Sequence, residues 1–122
     1  MIRAEFRTDG GVYELRVAGH AGYRPGNDIV CAGCSAIVYA LVGALRDGGR
    51  RVKDAAPHNK DAAPHNKDAA PQGEVAYALK SGDAYVRAEG DVGALFRMAE
   101  VGLMQIERAH PEHVRVRHSR AQ

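Results

Sequence analysis

Gly19-His20-Ala21-Gly22-Tyr23-Arg24-Pro25-Gly26-Asn27-Asp28-Ile29-Val30-Cys31-Ala32-Gly33-Cys34-Ser35-Ala36 is the stretch on which the reading of this 122-residue chain turns. Before it, apolar residues alternate with charged ones; after it, they run almost unbroken. A strand therefore hands over to a helix within these positions. Gly22, Pro25 and Gly26 form a loop of the kind that lets backbone approach a ligand closely. Asn27 and Asp28 are both good helix N-caps, and Cys31 falls about three residues past the cap, in the first helical turn.

Upstream, Ile2, Ala4 and Phe6 alternate with Arg3, Glu5 and Arg7, the period-two pattern of a half-exposed strand. Thr8-Asp9-Gly10-Gly11 is a turn of residues that tolerate positive φ. Tyr13, Leu15 and Val17 then alternate with Glu14 and Arg16, closing a β-hairpin that delivers His20 to a strand end. Met1-Ile2-Arg3-Ala4-Glu5 opens directly on a strand pattern, which predicts no secretory signal. A cytoplasmic, reducing location without a structural disulfide follows as the expectation.

Downstream, a helix from about Asp28 to Asp47 is apolar on most faces, so it should be buried on more than one side. One side should cover the sheet, and the other should meet a second helix or a second subunit. Gly48-Gly49 resembles a C-cap, with Arg46 suited to the helix dipole. Asp54-Ala55-Ala56-Pro57-His58-Asn59-Lys60 then repeats as residues 61–67, and Asp68-Ala69-Ala70-Pro71 begins a third copy. No large apolar residue recurs, so this is no coiled-coil heptad, and the regular prolines exclude a continuous helix. The repeated histidines lack clustered acidic or thiol partners for a metal. The expectation is a solvated linker insertion at about 52–73.

Val75, Tyr77 and Leu79 predict one strand, Ser81-Gly82-Asp83 a turn, and Ala84, Val86 and Ala88 the next strand. Asp91 is the expected N-cap of a second helix carrying Leu95, Phe96, Ala99, Leu103 and Ile106, ended by His110-Pro111. Val114 and Val116 suggest a short last strand, and residues 118–122 a loose tail. The fold class is α+β: a two-layer structure with a largely antiparallel sheet and two helices on one face, in the order ββαββα(β). Residues 1–122 form a single domain. No apolar run approaches the ~20 residues of a membrane span, and a net charge of +2 is too small to indicate a nucleic-acid protein.

A thiol in the first helical turn faces unpaired backbone N–H groups and the positive end of the helix dipole, both of which favour thiolate. An imidazole alongside can act as its base or ion-pair partner. The competing reading is a small buried hydrophobe beside a packing histidine. Asp28 either caps the helix or orients His20; a carboxylate turned on the sulfur would oppose thiolate, which favours capping. Oxyanion donors are expected among the backbone N–H groups at the start of the helix. Ser35 lies one turn beyond Cys31, either bonding a carbonyl or lining the pocket. Tyr23 either closes over a substrate or is a partly exposed loop residue, and Gly22 belongs to the loop that lets backbone approach a ligand. Asp28, Ser35, Gly22 and Tyr23 are thus the candidate substrate-binding residues.

Gly19-His20-Ala21, followed by Asp28-Ile29-Val30-Cys31-Ala32-Gly33-x-Ser35-Ala36, resembles the signature of the bacterial ribosomal-processing cysteine proteases, the Prp family. The resemblance implies a catalytic dyad of Cys31 and His20. It also implies removal of an N-terminal extension from bacterial large-subunit ribosomal protein twenty-seven, cut after an aromatic residue. A groove with apolar subsites, no cofactor, no metal, no membrane or direct nucleic-acid partner, a cytoplasmic location and a homodimer come with it. Cys34 departs from the pattern, where the position is usually small and unreactive. Cys31-x-x-Cys34 at a helix start also resembles a thiol–disulfide oxidoreductase site, but the βαβ start of thioredoxin-like proteins is missing. A non-catalytic ribosome-assembly binding module is the other alternative.

Overall fold

The computed structural model describes residues 1–24, 28–48 and 73–120, with the backbone of 51–52. Two hairpins alternate with two long helices: β1 (Ile2–Asp9), β2 (Val12–Ala18), α1 (Ile29–Asp47), β3 (Arg51–Val52), β4 (Glu74–Lys80), β5 (Asp83–Glu89), α2 (Gly93–Ala109) and β6 (Val114–Arg120). They build one sheet in the order β3-β4-β5-β2-β1-β6. The three central pairings are antiparallel, while β6 joins β1, and β3 joins β4, in parallel. The chain is thus two strand-strand-helix-strand halves, each lending its last strand to the first strand of the other. Matching backbone bonds mark that symmetry: Gly19 N–H to the Gly82 carbonyl at 2.9 Å, and Gly90 N–H to the Gly11 carbonyl at 3.0 Å.

The alternation read in the first hairpin is the burial pattern of the sheet. Ile2, Ala4, Phe6, Leu15 and Val17 are buried, with Val75, Val86 and Ala88 from the second hairpin. Arg3, Glu5 and Arg7 face outward. Val30, Cys34, Val38, Leu41, Val42 and Leu45 recur at three- and four-residue intervals on α1, and Phe96, Ala99 and Leu103 do so on α2. Both helices pack into one core cluster on the same face of the sheet. Each large side chain removed from water there contributes about 1.5–3 kcal/mol. The helices approach closely through glycines: a Cβ at Gly102 would lie 3.0 Å from Ile37 Cδ1, and one at Gly33 would lie 3.4 Å from Ile106 Cδ1.

Four details depart from the sequence reading. The two-residue β3 stands where the linker was expected to start, recruited by parallel pairing with β4. α2 opens on Val92 rather than Asp91, without a side-chain cap. Residues 118–120 are strand rather than tail, because β6 pairs with β1 as far as Thr8 and Arg120 and His118 bonds Glu100. Finally, α1, with a mean hydropathy of 1.9, is long and apolar enough by length and composition to cross a membrane. Here Val30, Val38, Leu41, Val42 and Leu45 are buried in the core shared with the sheet and α2, while Ile29 and Tyr39 stay exposed. The DAAPHNK repeat, Asn27, Pro25 and Gly26 lie outside the described residues.

Candidate active site

β2 ends at Ala18, and Gly19 turns the chain at φ +97. No side chain fits that turn, since a Cβ on Gly19 would lie 2.3 Å from the Met1 carbonyl oxygen. His20 therefore leaves the sheet edge beside the second hairpin, whose Asp83 is in register with Ala18. Its ring lies over the turn at Gly82. α1 starts at Ile29, with Asp28 as its N-cap. Asp28 Oδ1 accepts the Cys31 N–H at 2.9 Å and Oδ2 accepts the Tyr23 N–H at 3.1 Å. The cap is the role the sequence favoured. These bonds, that from Cys31 N–H foremost, hold the Asp28 carboxyl below its ordinary value.

His20, Cys31 and Ser35 meet in one cleft of about 300 Å³ between α1 and the β4–β5 hairpin. Val17, Val38, Tyr39 and Leu79 supply apolar wall; Lys80, Ser81 and Asp83 supply polar wall. The Cys31 sulfur is half-buried and accepts a hydrogen bond from the Ala21 N–H at 3.2 Å. Such a bond stabilises negative charge on sulfur. Among the described residues no hydrogen bond joins the imidazole of His20 to this sulfur in the present conformation. Catalytic pairs commonly tighten only when substrate binds.

Cys34 is buried at 2 % exposure. Burial, then the neighbouring Cys31 and Asp28 charges, push its thiol up to about 11. It is therefore no nucleophile at neutral pH. Gly22 (φ +66), Asp28 and Tyr23 are not among the cleft's described walls. Tyr23 instead packs edge-on against His110 and His113. The first-turn donors expected to form an oxyanion hole are partly committed, since Asp28 takes the Cys31 N–H. The donor aimed at the reacting region is Ala21 N–H, which sequence reasoning missed. That reasoning also missed Tyr39 on α1 and the Ser81-Gly82 turn with its flanking strand ends, which the β2–β5 register brings to the site. Among the described residues no group of three or more His, Cys, Asp or Glu is set to hold a metal.

A family model described as cysteine protease Prp matches residues 1–115. The fold is similar to the crystal structure of a ribosomal processing protease Prp from S. aureus, solved with a covalently linked product peptide. There the TM-score is 0.68 at 20% identity, over 98% of this chain and 100% of that one. It is also similar to SMU.848 from Streptococcus mutans, with a TM-score of 0.61 at 23% identity over 99% of this chain and 96% of that one. No curated protein matches the chain.

Proposed function

The chain belongs to the cysteine protease Prp family, and from that premise we propose that it trims an N-terminal extension from a bacterial ribosomal protein, with Cys31 as nucleophile and His20 as its acid–base partner. The observation that carries the assignment is the shared cleft: His20 and Cys31 open onto one wall-lined space, and the sulfur already holds an N–H donor.

The chemistry follows from that placement. The Cys31 thiolate attacks the scissile carbonyl carbon, and the carbonyl oxygen takes up the negative charge. Ala21 N–H, beside the sulfur, is the donor positioned to receive that oxygen. The tetrahedral adduct collapses, the C–N bond breaks, and the imidazolium of His20 gives its proton to the leaving amine. Water, deprotonated by His20, then hydrolyses the thioester and restores the thiol. No cofactor enters any of these steps.

The substrate we propose is large-subunit ribosomal protein twenty-seven, cut after an aromatic residue. The S. aureus protein is a ribosomal processing protease, and the cleft here has apolar walls in Tyr39, Val38 and Leu79. Burial of one aromatic side chain against them yields roughly 1.5–3 kcal/mol, enough to set where the chain lies before attack. The protein works in the cytoplasm as a homodimer in this reading; Ile29, Met98, Val101 and Met104 leave apolar surface on the helices for a partner copy. The test is incubation with the extended ribosomal protein, read by intact mass. One cut after the aromatic residue supports the reading, whereas an uncut substrate or scattered cuts would refute it.

A further inference from the structure

Ala21 is held from both sides. It is 3% exposed. Its N–H donates to Cys31 Sγ at 3.2 Å, while its carbonyl lies 2.8 Å from His113 Nδ1. A carbonyl can only accept, so Nδ1 carries the hydrogen. The neutral Nδ1–H ring and the imidazolium both keep that donor.

His113 is itself fixed by the corner between α2 and β6. Its backbone N–H bonds the His110 carbonyl at 2.9 Å, and its own carbonyl accepts the Ile2 N–H at 2.8 Å. Its ring meets Tyr23 edge-on at 5.3 Å, and His110 meets the same tyrosine at 5.1 Å, with the two imidazoles side by side at 6.4 Å. The run from Ala21 to Tyr23 therefore leans on a rigid corner of the second half. On its opposite side it is tied to Asp28, the cap of the nucleophile's helix.

We infer that His113 is a positioning residue for the nucleophile: by holding the Ala21 carbonyl, it keeps the Ala21 N–H aimed at the Cys31 sulfur. The inference rests on Cys31 being the reacting thiol. The physical basis is that one residue's N–H and C=O share two soft dihedrals. Anchoring the carbonyl limits how far the N–H can swing from the sulfur. A donor held on the sulfur favours thiolate over thiol, so more of Cys31 stands in its reacting form at neutral pH. Tyr23 contributes by backing the His113 ring, not by touching the cleft.

The test compares His113→Phe, which keeps a ring against Tyr23 but removes the donor, with His113→Asn, whose amide N–H can replace Nδ1–H. Iodoacetamide alkylation of Cys31 at neutral pH is followed by peptide mass mapping, with folding checked by circular dichroism. The Phe variant should alkylate about five- to tenfold more slowly, the loss of one hydrogen bond of roughly 1 kcal/mol or slightly more. The Asn variant should recover most of that rate. In peptide cleavage the deficit should fall on kcat and leave KM in place. If the Phe variant folds poorly, His113→Leu serves the same comparison. A donor-less variant that alkylates at the wild-type rate, or an Asn variant as slow as Phe, would overturn the inference. Because alkylation needs no substrate, a wild type that cleaves nothing would refute the protease reading alone.

Discussion

His20 lies directly over Gly82: a Cβ built on that glycine would sit 2.7 Å from the imidazole Nε2. The second hairpin thus reaches the site with a turn that tolerates no side chain, and the Gly19–Gly82 backbone bond holds it there. Gly82→Ala should carry two separable costs. Its φ of +76 makes alanine worse by roughly 1–2 kcal/mol, and the new methyl displaces His20. Gly10, at φ +53 with nothing within 4 Å of its Cβ position, is the control. Both alanine variants should lower the melting temperature. Only Gly82→Ala should lower kcat/KM, by about tenfold or more. A fully active Gly82→Ala variant would contradict the placement of His20.

The two thiols should react very differently. With its thiol pushed up to about 11, Cys34 is thiolate in only about one molecule in ten thousand at neutral pH, and it is buried besides. Mass mapping after mild alkylation should find the label on Cys31 alone, with Cys34 labelled only after unfolding. Prompt labelling of Cys34 in folded protein would revive the oxidoreductase reading.

Glu100 should make stability sensitive to acid. Its side chain is 5% exposed and bonds Arg97 at 2.6 Å and His118 at 2.5 Å. Burial pushes this carboxyl up, but the bonds from Arg97 and His118 outweigh it and hold it below the ordinary 4.5. A depressed carboxyl contributes stability that is fully present above its unfolded value and is lost as pH falls through its folded one. Glu100→Gln should therefore cost about 1–3 kcal/mol near neutral pH, and the gap to wild type should narrow below about pH 4.5. Urea melts across that range check it; a gap that widens in acid would contradict it.

What the sequence made legible follows from local chemistry. The hairpins showed in the alternation of Ile2, Ala4 and Phe6, and α1 in its apolar run and its Asp28 cap. The ends of elements were less readable. His118 and Arg120 put polar side chains on the row of Val114 and Val116 in an edge strand, so the apolar alternation stops before the strand does. In the site, His20 and Cys31 stood eleven positions apart and were visible together. Ala21 N–H, Gly82 and His113 were not, because a backbone donor has no sequence signature and the other two arrive through long-range pairing.

The DAAPHNK repeat is expected to be dispensable. The β3 and β4 strands that flank it run side by side in parallel, Arg51 beside Glu74 and Val52 beside Val75. A connection therefore need only return across two residues and one strand spacing. Replacing residues 54–71 by a Gly/Ser linker of about ten residues spans that distance easily. A change in loop length costs only about 0.6 kcal/mol per doubling. Melting temperature and peptide turnover should stay near wild type; an unfolded variant would show that the repeat packs on the domain.

The central claim is that Cys31 forms a covalent acyl-enzyme with the extension. The most direct measurement is to mix enzyme with a peptide spanning the extension and its cut site, quench in acid within the first turnover, and weigh the protein. A single adduct equal to the N-terminal fragment less one water, mapped to Cys31, is the expected result. It should be absent in Cys31→Ala and form far more slowly in His20→Ala. Cleavage without an adduct on Cys31, retained in Cys31→Ala, would contradict it.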